Sequence, residues 1–299
     1  MLLVSGTVAL DNVKTPCGEQ RLMLGGSASH FCMSASLFTP LHLVGIIGRD
    51  FPPRHIRLLK SKKIGLGSLT RSSGKTFQWS GEYKKGDLNR ALTIATELGV
   101  LQDFKPVVEP SRRKAPYVFL ANDDPLIQAQ VLAQMDCPKF VGLDSMNLWI
   151  NHKKKDLLQL IKKVHLFVAN DGEAMMLSGE HNLLKAAKYL RRLGPPFIVI
   201  KKGEHGVLFV SDKGRFAFPA FPVEAVVDPT GAGDTFAGGF MGFLAQAGKF
   251  DLATFKKAAC YATIAASFNV EGFGAQKTSR LDLGRVNARL KQFLKFISV

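Results

Sequence analysis

The sequence predicts an α/β fold: a mostly parallel sheet covered by helices on both faces. Two observations carry the prediction. Short, continuous apolar runs recur along the chain, and amphipathic stretches of helical period lie between them. A strand buried on both faces has no polar side to show, so runs without alternation fit a sheet sandwiched between helices. No internal repeat, low-complexity tract or Pro/Ser-rich linker interrupts the pattern, and residues 1–299 read as one domain.

In chain order, the first apolar run leads directly into "SGTVALD", and "LHLVGIIG" (Leu41 to Gly48) reads as the next buried strand. "YVFLAN" (Tyr117 to Asn122), "FVGLD" (Phe140 to Asp144), "VHLFVAN" (Val164 to Asn170) and "FIVIKKG" (Phe197 to Gly203) read the same way. Between these runs, "DPLIQAQVLAQM" and "NLLKAAKYLRRLG" have helical periodicity, and Gly194 at the end of the second suits a helix C-cap. Two segments depart from this order. "GKTFQWSGEY" (Gly74 to Tyr83) and "ALTIATELGVL" (Ala91 to Leu101) have strand propensity, with no crossover helix before the next core strand. Together with Asp11 to Leu22 they predict a small antiparallel sheet projecting beside a cleft, with lid segments at about 11–22 and 74–113.

Composition excludes several classes. The formal charge is +16, but the basic clusters Arg112 to Lys114 and His152 to Asp156 carry no interleaved aromatic residues. A solvated basic face that attracts an anionic small ligand is expected, rather than nucleic-acid binding. No apolar window is long enough for a membrane-spanning helix, and the N-terminus lacks the basic flank of a signal peptide. Cys17, Cys32, Cys137 and Cys260 are scattered without a CxxC pair, which predicts reduced thiols in a cytoplasmic protein.

The most informative stretch is "VVDPTGAGDTFAGGFMGFLA", Val226 to Ala245. Val223 to Val227 predicts a strand or extended entry, Pro229 holds Asp228 out of the helical region, and a helix is expected from Asp234 to about Ala247. Gly231 and Gly233 permit a tight turn whose N–H groups, with the helix N-terminus, form a pocket for a phosphate-like anion. Asp234 would repel that anion. Its presence makes sense if a substrate hydroxyl sits between the two and loses its proton as a phosphoryl group arrives. An aspartate of ordinary pKa, near 4, would then accept the proton late in a loose transition state. A plain helix cap complementing the dipole is the other reading of the same residue. Gly238, Gly239 and Gly242 let this helix approach another backbone closely.

"DPTGAGDTFAGGF" resembles the C-terminal signature of the PfkB, or ribokinase-like, family of carbohydrate and nucleoside kinases. "LGGSASHF" (Leu24 to Phe31) resembles the family's N-terminal double glycine, with "GIIGRD" (Gly45 to Asp50) following at the expected distance. "NDGE" (Asn170 to Glu173) is similar to its N-x-x-E motif, and "KKGEHGVLF" (Lys201 to Phe209) to its nucleotide loop. The resemblance implies a three-layer α/β/α body with a β lid, and transfer of the γ-phosphate of ATP to a hydroxymethyl group of a sugar. A nucleoside as acceptor, or a non-catalytic binding protein on the same scaffold, is the alternative. By resemblance, Asp234 would be the base, and the backbone of Gly231, Ala232 and Gly233 the anion hole. Asn170 and Glu173 would orient Mg²⁺ through water. Lys201, Gly203 and Gly206 would border the nucleotide, and Asn269 to Gly274 its adenine. Asp228 and Thr230 would offer oxygens to a monovalent cation such as K⁺. Asp11, Gly25 and Gly26 would receive the acceptor, with His30 where the family often has Asn. Lys75, Phe77 and Trp79 would face it from the lid. Relatives often dimerise, which implies a homodimer.

Other nucleotide-handling classes lack their marks. No G-x-G-x-x-G follows the first strand, and neither a P-loop nor the protein-kinase HRD and DFG set is present.

Overall fold

The computed structural model describes residues 1–298. The chain starts with β1 (Leu2–Ser5), buried throughout, then leaves the body as the hairpin β2 (Ala9–Thr15) and β3 (Gly18–Gly25). It returns through α1 (Ser27–Ala35), β4 (Leu41–Ile47), α2 (Pro53–Ser61) and β5 (Ile64–Arg71). A second excursion forms β6 (Gln78–Lys84) and β7 (Asp87–Glu97). Strands and helices then alternate: β8 (Tyr117–Leu120), α3 (Pro125–Ala133), β9 (Phe140–Asp144), α4 (Asn147–His152) and α5 (Lys154–Ile161). β10 (Leu166–Asn170), α6 (Asp171–Ser178), α7 (Leu183–Arg192) and β11 (Phe197–Lys201) continue the series. The hairpin β12 (Val207–Ser211) and β13 (Gly214–Phe218) precedes α8 (Ala232–Ala247), α9 (Leu252–Asn269) and α10 (Leu283–Ile297).

Nine strands form the central sheet in the order β13-β12-β11-β10-β9-β8-β1-β4-β5. Every pairing from β5 to β11 is parallel; β12 is antiparallel to both of its neighbours, so it alone runs against the rest and β13 runs with them. Alternate residues feed opposite layers. Leu2 and Val4 join a core with Phe31, Phe119 and Phe240, whereas Leu3 joins Leu157, Ile161 and Leu190 on the other face. This two-sided burial is why the strands read as continuous apolar runs. From β1 the chain steps one way to β4 and β5, and later the other way to β8, β9, β10 and β11. That reversal opens a crevice at the carboxyl ends of the strands. On the first face, α1 and α8 lie parallel with backbones touching: a Cβ on Gly238 would stand 2.2 Å from the Phe31 carbonyl oxygen. Only glycine permits that approach, and it brings two helix N-termini side by side at the crevice.

Four strands form a second sheet, ordered β3-β2-β6-β7. It is not wholly antiparallel as expected, because β2 and β6 pair in parallel. Both leave the carboxyl edge of the main sheet, β2 after β1 and β6 after β5, and so run the same way. Its pairing stops at Glu97. Residues 98–113 fold back onto the body, drawn by Phe104 and Val108, both buried.

Of the two forms expected for Val223 to Val227, a strand or an extended entry, the second is found, and its last N–H donates to the Val270 carbonyl at 2.7 Å. Two other local expectations are corrected. The following helix starts at Ala232 rather than Asp234. Gly194 is not a left-handed cap: α7 ends at Arg192, and Gly194 has φ +148° where it passes the Lys162 backbone. Among the described residues no helix is long and apolar enough to cross a membrane.

Candidate active site

The mouth of α8 is built by its neighbours. Gly231 caps the helix at φ +74°, and the His30 ring covers it so closely that a Cβ there would lie 2.3 Å from a ring carbon. Asp228 is wholly buried. One of its oxygens accepts the Thr230 N–H and the other the Gly274 N–H, each at 2.9 Å, stapling two loops together. Asn269 accepts from the Thr235 hydroxyl at 3.0 Å and donates to the Thr230 carbonyl at 2.8 Å. Asp228, Thr230 and Asn269 therefore scaffold the turn. The buried Asp228 carboxylate also has no cationic side chain at salt-bridge distance among the described residues, a setting that a monovalent cation would suit.

Asp234 stands half-buried in the first turn of α8. Burial first, and then the Asp144 charge, push its pKa up to about 7, against the pull of Lys201. The expectation of an ordinary value near 4 is thus corrected. A carboxylate poised near neutrality is a better proton acceptor for an alcohol.

At the carboxyl edge, β9 ends on Asp144, β10 on Asn170 and β11 on Lys201. Lys201 Nζ lies 2.6 Å from Asp144 Oδ2 and against Gly233, 3.1 Å from where a Cβ would stand. Asn170 and Glu173 hold each other in a reciprocal cap of α6: Asn170 Oδ1 accepts the Glu173 N–H at 2.8 Å, and Glu173 Oε2 the Asn170 N–H at 2.7 Å. This commits the carboxamide oxygen expected near Mg²⁺. What remains is a carboxamide nitrogen, which suits a phosphate oxygen, and one carboxylate oxygen of Glu173, a hard donor that suits a hydrated Mg²⁺. Burial raises Glu173 to about 8, with Lys201 opposing and Asp144 and Asp234 adding to the rise. A bound cation would reverse that shift.

Gly203 and Gly206 separate. Gly203 is exposed at φ +55°, facing Asn89 of β7, so the tip of the second sheet reaches this loop. Gly206 instead makes room for the Phe218 carbonyl in the β12–β13 hairpin.

The acceptor end converges on Asp11. Its carboxylate lies over Gly25, where a Cβ would come within 1.9 Å of an oxygen, and Gly26 caps α1 next to it. Burial raises Asp11 to about 7; the Gly26 N–H holds it down while Asp228 and Asp234 push it up. His30 is buried with both ring nitrogens unpartnered, and the nearby Asn269 carboxamide is turned to the Thr235 hydroxyl and the Thr230 carbonyl. Burial holds its pKa low, with Asp228 opposing. Phe77 is half-buried and uses its carbonyl to accept the Leu10 N–H at 2.9 Å. Trp79 pairs in register with Asp11 and folds over Gly81, with Nε1 donating to Thr93 at 3.2 Å. Lys75 lies outside the strand that carries Trp79. It is exposed and precedes β6, so the alternation expected for Lys75, Phe77 and Trp79 does not reach it.

Three groups at this site are not singled out by the sequence motifs. Asp144 is one, although a carboxylate ending the buried run "FVGLD" is a signal. Asp123 is another: buried just past β8, with Oδ2 unpartnered and a pKa raised by burial to about 7. Tyr83 is the third, its hydroxyl accepting from Thr230 Oγ1 at 3.3 Å and so tying the small sheet to the turn.

These raised carboxylates carry a stability signature. Asp11 titrates near 3.8 when unfolded and about 7 when folded, so the native state alone holds the proton between those values. Its stabilisation is complete below about pH 4 and is lost as pH rises through 7. The melting temperature of the unliganded protein is expected to fall between about pH 4 and 7, and less in Asp11→Asn. Thermal melts across that range measure it; identical pH dependence in the two proteins would refute the assignment.

A glycine-turned helix mouth, an adjacent carboxylate and an overlying sheet at an α/β crevice are parts that a phosphotransferase acting on an alcohol can use. The chain belongs to the pfkB family of carbohydrate kinases, whose pattern it matches over residues 5–281. It is 32% identical over 246 residues to a cytidine kinase of Thermococcus kodakarensis, covering 80% of this chain and 87% of that one. A nucleoside kinase of Methanocaldococcus jannaschii aligns at 25% identity over 268 residues, covering 89% and 85%. The M. jannaschii nucleoside kinase structure superposes with a TM-score of 0.77 at 20% identity, covering 97% and 98%. A Ribokinase II of E. coli solved with ATP and Mg²⁺ superposes at 0.78 and 15% identity, covering 97% and 99%.

Proposed function

We propose that this kinase transfers the γ-phosphoryl group of ATP to the hydroxymethyl group of a nucleoside, with Asp234 as the base. The observation that carries the reading is Asp234 itself, half-buried at the mouth of α8 and raised to about 7 beside the Gly231–Gly233 turn. The acceptor oxygen attacks the γ-phosphorus, the bond to the β-bridging oxygen breaks, and ADP leaves. The hydroxyl proton passes to Asp234. Backbone N–H groups of Gly231 and Gly233, with the Lys201 ammonium, face the charge on the migrating group, whereas the Ala232 N–H expected beside them is given to the Pro229 carbonyl at 3.2 Å. Mg²⁺ bound with ATP supplies further charge neutralisation, and Glu173 would hold it through water. A monovalent cation beside Asp228 would steady the turn.

At the other end, Asp11 is a buried acceptor that suits a ribosyl hydroxyl, and Asp123, buried just past β8 with one oxygen unpartnered, offers a second such acceptor at the carboxyl edge of the sheet. Similarity to a cytidine kinase over most of the chain favours a nucleoside. A free sugar is the second reading, favoured by the same two carboxylates, which seek hydroxyl donors whether or not a base is attached. The small sheet, tied to the turn through Tyr83, serves as the lid.

Coupled ADP release tests the reading with nucleosides and free pentoses or hexoses as acceptors, in K⁺ and in Na⁺ buffer. Pyrimidine nucleosides are expected to give the highest kcat/KM, with turnover higher in K⁺. Acceptor-dependent release with sugars alone would replace the nucleoside by the second reading, and none with any acceptor would defeat both.

A further inference from the structure

Asp144 takes no proton in the proposed reaction; beyond the charge by which it raises Asp234, it touches a second group that the reaction needs. We propose that Asp144 is a positioning residue that fixes the Lys201 ammonium against the Gly231–Gly233 turn, where Lys201 meets the migrating phosphoryl group. The inference rests on the kinase reading above.

Both carboxylate oxygens are engaged. Oδ1 accepts the Ser145 N–H at 2.9 Å and Oδ2 accepts Lys201 Nζ at 2.6 Å. The main chain beneath is held as well. Gln128 of α3 donates from Nε2 to the carbonyls of Asp144 at 3.0 Å, Ala121 at 2.8 Å and Leu120 at 3.3 Å, stitching the ends of β8 and β9 together. Asp144 therefore has little freedom to swing. Lys201 differs: its ammonium rides on a flexible four-carbon stem that would otherwise have to be ordered at each turnover. The pair reaches across the end of β10, since β9 and β11 are not neighbours. It leaves the ammonium beside Gly233, 3.1 Å from where a Cβ would be. A buried lysine without a counter-charge tends to lose its proton. Here the neighbouring Asp144 and Glu173 carboxylates hold Lys201 above its ordinary range despite burial.

A tie that served only to join strands would change stability and leave the kinetics alone. The test is a double-mutant cycle of Asp144→Asn and Lys201→Met, assayed for kcat and for both KM values at about pH 9, where Asp234 is ionised in every variant and its shift by either charge no longer enters. Asp144→Asn keeps the shape and loses the charge. It is expected to lower kcat about 30-fold while KM for ATP and acceptor stays within about threefold. The double variant is expected to be no slower than Lys201→Met, because Asp144 acts through Lys201. Parental kcat in Asp144→Asn, or losses that multiply in the double variant, would overturn the proposal. Should Asp144→Asn fail to fold, the double variant, which leaves no orphaned charge, is compared directly with Lys201→Met; equal rates support positioning and a further loss refutes it. If the parent protein releases no ADP with any acceptor, the kinase reading fails instead.

Discussion

Asp234→Asn is expected to lower kcat by about 10²–10⁴-fold while ATP affinity stays within a few-fold of the parent value. Asparagine matches aspartate in size, so the first turn of α8 and the glycine turn before it keep their shape. What disappears is the ability to take a proton from the acceptor hydroxyl. The nucleotide should bind no more weakly, since a negative charge beside its terminal phosphate has been removed. The parent protein should show kcat/KM rising with pH through about 7, because the ionised form is the active base and burial together with Asp144 has raised the pKa of the unliganded protein to that value. A carboxylate of ordinary pKa would place this limb near pH 4. Stability should move the opposite way. Asp234→Asn removes a charge that is costly to hold at high pH, so the variant should melt above the parent at about pH 8. Steady-state kinetics over pH, nucleotide titration and thermal melts check the three parts. Parental turnover in Asp234→Asn would end the assignment of the base.

Much of this site is legible in the amino-acid sequence, and the residues explain why. The run "TGAGD" announces a turn and a helix mouth because glycine and proline restrict the backbone locally. The double glycine is equally visible, although its purpose is not: Gly25 is bare because Asp11 lies over it. What stays hidden depends on neighbours distant in sequence. Asp144 ends a strand, where an aspartate reads as a turn residue, and only the sheet order brings Lys201 to it from β11. Asn170 and Glu173 have the spacing of a motif and of a capping box alike, and in the fold they cap α6 while still facing the crevice edge. The pKa of Asp234 does not follow from its type, because burial and charged neighbours set it. The parallel pairing of β2 with β6 is invisible to strand propensity, which carries no direction. Alternation also fails to place Lys75, because the strand begins only after it.

Gly231→Ala is expected to cost at least about 2 kcal/mol of stability and about 10²-fold in kcat/KM. Two separate effects add at this residue. Its φ of +74° is unfavourable for any residue with a Cβ, by roughly 1–2 kcal/mol. The new methyl group would also lie 2.3 Å from a carbon of the His30 ring, which is buried. The double variant His30→Ala/Gly231→Ala separates the two. Removing the ring makes room for the methyl group, so packing should recover while the backbone strain of roughly 1 kcal/mol persists. Denaturant unfolding of both single variants and the double gives the stability terms, and kinetics with a fixed acceptor gives the rest. A single variant as stable and active as the parent would mean that the turn does not need its glycine. The expectation matters because His30 stands at the acceptor end and Gly231 at the phosphate end. The missing side chain at 231 sets how closely those ends approach, so activity lost here in a protein that still folds would measure their alignment rather than any single group.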